Sequence, residues 1–94
     1  MATIPKNAVA YKTVGPWVAN KIPKMLLKKH NTKEGVWAKL EILSGSVQYY
    51  LCDSDADPIT LTPEQFGVSE PQVWHYIEPT DDAEIQITFF HIED

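Results

Sequence analysis

Between residues 36 and 43 the chain alternates: Val36, Ala38, Leu40 and Ile42 are apolar, and Trp37, Lys39 and Glu41 fall between them. A period of two is what a half-buried β-strand requires, because successive side chains leave opposite faces of the sheet. Residues 84–92 repeat it, with Ile85, Ile87, Phe89 and His91 on one face. Shorter runs of strand length, several rich in β-branched and aromatic residues, lie at 47–52, 59–61, 66–69 and 73–77. Turn formers separate them: Ser44, Gly45 and Ser46, the loop 53–58, Thr62 with Pro63, Glu70 with Pro71, and residues 79–82. The brevity of the 44–46 turn predicts that strands 36–43 and 47–52 pair as an antiparallel hairpin. Only residues 21–29 could hold helical turns, and Pro23 within them limits that stretch to an extended or single-turn segment.

Short strands without a covering helix must hide their apolar faces against a second sheet or close on themselves. The expected fold class is therefore all-β, a small cupin-type jelly-roll barrel or double-stranded β-sandwich. At 94 residues the chain has the size of one domain, residues 1–94. Pattern alone leaves an immunoglobulin-like sandwich and a five-stranded oligonucleotide-binding barrel open.

Charge narrows the partners. Thirteen acids against eight bases give a formal net charge of −5, the wrong sign for binding a phosphate backbone, so nucleic acid is not expected. The lysines at 21, 24, 28, 29 and 33 read as a solvated face. No apolar run approaches the roughly 20 residues of a membrane helix, and residues 1–12 lack the pattern of a signal peptide; no membrane is expected and the cytoplasm is the expected compartment. Cys52 is the single cysteine, which removes an internal disulfide and a thiolate-rich zinc cluster. The acidic loop 53–58 lacks the central glycine and distal glutamate of a calcium loop.

The residues that could carry chemistry are the histidines. His75 has the inward parity of Val73 and Ile77, and His30 stands just ahead of the strand starting at Val36, so two strands could aim imidazoles into one barrel mouth. The bland reading of His75 is a core histidine satisfied by a hydroxyl or carbonyl. His91 lies near the end of its strand and is expected to be exposed. Glu34, Glu70 and Glu78 are the nearest carboxylates in sequence; parity turns Glu78 away, while Glu34 and Glu70 could point either way. His30, His75 and Glu70 make up the candidate metal set, with zinc ahead of iron or manganese. On the opposite parity, Trp37, Trp74 and Tyr76, with Tyr50 on the neighbouring strand, predict an aromatic face that forms a homodimer contact or receives the segment carrying Trp17.

The stretches HNTKEGVWAKLEILSG from His30 and EPQVWHYIEP from Glu70 resemble the two signature stretches of the tellurite-resistance (TehB/YeaR-like) cupin-like family. The likeness runs from about Ile4 to Phe90, with His30, Thr32, Lys33, Gly35, Trp37, Gly45, Pro71, Trp74 and His75 on its recurring positions. It implies a metal at His30 and His75 and a role in tellurite or nitrosative stress. The wider cupin pattern has a second histidine and a glutamate in its first motif; here Asn31 and Thr32 follow His30, and Ala38 holds the inward position of the glutamate. Lost ligands argue against catalysis, and the methyltransferase activity of relatives needs a glycine-rich turn in a longer α/β domain. The leading expectation is a cupin-like protein that binds a divalent metal or a small oxyanion ligand and plays an accessory part in stress responses. The alternatives are a metal-dependent oxygenase or isomerase in which Lys39 or Glu70 assists, and an interaction module working through its aromatic face.

Overall fold

A computed structural model of the chain describes residues 2–93. Among these residues seven strands form: β1 (Ala8–Val18), β2 (Val36–Ser44), β3 (Val47–Leu51), β4 (Ile59–Leu61), β5 (Gly67–Ser69), β6 (His75–Pro79) and β7 (Glu84–Ile92). Between β1 and β2 run two 3-10 turns, Ala19–Lys21 and Lys24–Leu27, so Pro23 does confine residues 21–29 to single turns. The strands make two antiparallel sheets, one ordered β1-β7-β2-β5 and the other β4-β3-β6. Their inner faces enclose the core, so the all-β, two-sheet expectation holds.

Alternation decides which residues meet inside. Ala38, Leu40 and Ile42 of β2 are buried, as are Val47 and Tyr49 of β3 and Ile85 and Ile87 of β7. With Ile22, Leu61, Ile77 and Ala83 they form one hydrophobic cluster, and Trp17, Leu26 and Phe89 pack against its edge. Each fully buried valine, leucine or isoleucine side chain among them contributes about 1.5–3 kcal/mol relative to exposure.

The expected β2–β3 hairpin does not form. β2 lies between β7 and β5, while β3 lies between β4 and β6, so the two strands belong to opposite sheets. Alternation fixes which face a residue takes and is silent on which strand sits beside it. The turn between them is a crossover. Gly45 has φ +68, and a Cβ there would lie 2.7 Å from Asp82 Oδ1 and 2.8 Å from the Ala83 backbone. That close approach docks the 44–46 turn on the β6–β7 crossover, where Thr80 N–H donates to Ser46 O at 2.9 Å and Ser44 Oγ donates to Asp82 O at 2.9 Å.

Local pattern does not mark β1, the longest of the described strands. It pairs with β7 along one edge, yet most of its side chains are exposed and its register slips twice, between Ala10 and Lys12 and between Val14 and Trp17. Exposure and bulges erase the alternation that would have revealed it.

The expected single aromatic face is also divided. Trp37 stands on the outer side of the β2 sheet, whereas Tyr50 and Tyr76 stack on the other sheet with ring centroids 4.6 Å apart. Trp74, 40% exposed, lies just before β6 with Lys29 Nζ 5.4 Å from its ring centroid. Trp17 packs on the core instead of covering any of them.

Candidate functional site

At the end of the sandwich away from the 44–46 crossover, the inner faces part around a cavity of about 520 Å³. Its walls are largely apolar, with Val14, Trp17, Leu26, Leu40, Ile87 and Phe89 among them, and its polar groups come from His30, Thr32, Tyr49, Ser69 and His75. Small residues keep the space open: Ala38 and Ser69 are direct partners across β2 and β5, where larger side chains would fill it.

His30 and His75 come together as the inward parity of His75 predicts. Their backbones exchange two hydrogen bonds, His30 N–H to His75 O at 2.9 Å and His75 N–H to His30 O at 2.8 Å. Residues opposed in such an antiparallel bridge send their side chains to the same face. The two rings consequently meet edge to face, with centroids 4.2 Å apart. A second clamp holds the same loop: Gln72 N–H donates to Thr32 O at 3.0 Å, and Thr32 Oγ1 donates to Glu70 O at 3.0 Å.

Both imidazoles are fixed through Nδ1, that of His30 on Lys28 O and that of His75 on Val73 O, each at 2.8 Å. A carbonyl only accepts, so Nδ1 carries a proton in each ring and Nε2 is the variable nitrogen. Burial, opposed in part by the Val73 hydrogen bond and reinforced by the neighbouring His30, brings the His75 pKa down to about 4. His75 is thus neutral at pH 7, and its Nε2 accepts from Ser69 Oγ at 3.3 Å. With its own proton so committed, Ser69 Oγ accepts from the Tyr49 hydroxyl at 2.8 Å. Burial holds the Tyr49 phenol above its ordinary pKa, so it remains a donor at neutral pH. The Tyr49 ring lies nearly parallel to the His75 imidazole, centroids 5.2 Å apart. A directed chain, Tyr49 to Ser69 to His75 to the Val73 carbonyl, therefore runs beneath the cavity.

The other candidates lie elsewhere. Glu34, Glu70 and Glu78 are exposed, and among the described residues no group of three or more His, Cys, Asp or Glu converges as a metal cluster. The donors present, two imidazoles with no carboxylate, do not make a closed set for zinc. His91 is exposed and rests against Tyr11. Lys39 points outward with Nζ 4.5 Å from the Phe66 ring centroid, so it does not assist chemistry inside the sandwich. Sequence reasoning missed Tyr49 and Ser69; the signal available was the inward parity of Tyr49 with Val47.

Fold and site together define a small two-sheet β-sandwich with a ligand-sized cavity and a histidine pair at its open end. A profile of the TehB-like domain matches residues 12–87, and the chain belongs to the TehB-like family. It is 37% identical over 87 residues to the probable S-adenosyl-L-methionine-dependent methyltransferase TehB of Haemophilus influenzae, covering 87% of this chain but 30% of that protein. It is 32% identical over 99 residues to the uncharacterized protein YeaR of Escherichia coli K12, covering 96% of this chain and 83% of that one. A crystal structure of an E. coli K12 protein superposes with a TM-score of 0.87 at 30% identity over the whole of both chains. The crystal structure of H. influenzae TehB gives a TM-score of 0.83 at 34% identity over 93% of this chain and 32% of that one.

Proposed function

We infer that the domain is a binding module that takes a small ligand into the inter-sheet cavity and reads one polar group of it with His30 and His75. The single observation that carries this reading is the imidazole pair, 4.2 Å apart, beside a cavity of about 520 Å³. That volume falls in the range of about 300–1,000 Å³ usual for small-molecule sites, and an apolar pocket with a few convergent polar groups is their usual form. The ordered hydroxyl chain supports it too, because it presets the donor and acceptor pattern that an entering group meets. A role beside stress-response enzymes, as in the tellurite resistance for which the family is named, is part of the proposal, and the ligand includes small oxyanions.

A divalent metal is the second reading. One observation favours it: each Nδ1 is occupied by a carbonyl, which leaves Nε2 as the coordinating nitrogen of each ring, although the Ser69 hydroxyl would have to release that of His75. Water or the ligand itself would have to supply the remaining positions. Calorimetric titration of zinc, tellurite and octanoate into the wild type, His30→Ala and His75→Ala tests both readings. Saturable binding of at least one probe, lost in both variants, supports a site at the histidines; binding of none, or binding unchanged in both variants, overturns it.

A further inference from the structure

The charges of the chain are segregated in a way that bears on this cavity. Residues 1–33 carry seven of the eight lysines and no aspartate or glutamate, so all thirteen acids lie from residue 34 onward. The mouth is built mainly from that acid-free stretch: Tyr11 and Lys12 of β1, Met25 of the second 3-10 turn, and residues 30–33. Among the described residues no aspartate or glutamate lines the cavity, whereas Lys12 and Lys33 do, and both are exposed. An exposed lysine on an apolar wall lays its methylenes along that wall and keeps its ammonium in water, which sets positive charge at the rim. Met25 beside them is 66% exposed, an apolar lip on a charged rim.

The floor has the opposite character. Both nitrogens of His75 are already bonded, Nδ1 to Val73 O and Nε2 to Ser69 Oγ, and among the described residues no lysine lines the cavity besides Lys12 and Lys33, so nothing deeper compensates an anion, and burying an uncompensated charge is costly. An anionic group is favoured at the mouth and apolar matter inside. Resting on the proposed function above, we propose that the ligand is an amphiphilic organic monoanion, a carboxylate or similar acid, with its hydrocarbon or aromatic body between the sheets and its charged head, the polar group that the histidine pair meets at the open end, beside Lys12 and Lys33. Lysine density over residues 21–33 then steers such anions toward the opening of a protein whose net charge is −5.

Three eight-carbon probes that share a body and differ in head group test this: octanoate, octan-1-ol and octylamine, titrated calorimetrically into the full chain at low and high salt. Octanoate should bind most tightly and octylamine least, with the difference shrinking in high salt. Lys12→Ala with Lys33→Ala should weaken octanoate roughly threefold to tenfold and leave octan-1-ol unchanged. Ala38→Leu, which puts bulk into the cavity, should abolish binding of all three while circular dichroism shows the fold retained. Octylamine binding as tightly as octanoate, or octanoate binding that ignores Ala38→Leu, overturns the proposal. So does failure of all three probes; if zinc or tellurite then still binds at the histidines, only the ligand class is wrong, and if nothing binds the proposed function falls with it.

Discussion

At one end of the sandwich Leu61 lies so close to Gly67 that an added Cβ would sit 2.6 Å from its Cδ1; at the other, Ala38 and Ser69 face each other across adjacent strands and the space stays open. The closed end also holds the crossovers from β2 to β3 and from β6 to β7, stapled together by Thr80, Ser44 and Ser46. Val47, Leu61 and Ile85 are there fully buried. At the open end the partners are histidines, hydroxyls and the loop 28–33. The same two sheets thus supply a rigid half that secures the fold and a hollow half whose polar groups are held by hydrogen bonds. Side-chain volume at β2 and β5 separates them, since strand pairing continues through both.

Truncation should expose the difference most strongly. Leu61→Ala removes a fully buried side chain from the closed end, and denaturant unfolding should show a loss of about 2–5 kcal/mol. A loss below 1 kcal/mol would mean that this end is not close-packed.

Acid should act on the open end. His75 has a folded pKa of about 4 against 6.5 unfolded, so between these values the unfolded chain binds more protons. Stability is complete above pH 6.5, falls as pH drops toward 4, and loses about 2–3 kcal/mol over that window. Carboxylates titrate in the lower part of the same range, so the comparison is with His75→Gln, whose stability curve should be flatter by the proton that His75 takes up. Identical curves would contradict a neutral, buried imidazole.

Smaller effects separate the hydroxyls. Ser69→Ala should cost about 1–2 kcal/mol, because it strands the Tyr49 hydroxyl and His75 Nε2 together. Tyr49→Phe removes only the outer donor and should cost less. A double-mutant cycle of the two should therefore be non-additive; strict additivity would deny the chain. Ala38→Leu should change stability least, by about 1 kcal/mol or less in either direction, since there is room for the added carbons. At the closed end even one added carbon, in Gly67→Ala, meets the buried Leu61 side chain and should destabilise by about 1–3 kcal/mol.

The rigid half was readable in advance to a large degree. Period-two alternation placed β2 and β7 within a residue and marked Ala38, Leu40, Ile42, Ile85 and Ile87 as inward. It also turned His75 inside. What it did not reveal depends on neighbours rather than faces: that β2 and β3 separate into two sheets, and that Trp37 is thereby divorced from Tyr50 and Tyr76. β1 escaped because an exposed, bulged edge strand has little alternation to show. The hydroxyl chain escaped for another reason, since Ser69 and Tyr49 meet only when β5 and β3 face each other from opposite sheets. His30 shows both sides of this, suspected from its place ahead of β2 and fixed by a backbone bridge to His75 that no local pattern announces.

Central to the account is that ligand enters at the histidine end and touches both imidazoles. Nuclear magnetic resonance of the side chains of His30, His75 and His91 during titration with octanoate, zinc and tellurite tests that most directly. The His30 and His75 signals should move together and saturate with at least one probe, while those of His91, on the exposed end of β7, stay in place. If His91 moves as far as the other two, or none of the three rings responds to any probe, the cavity is not a binding site.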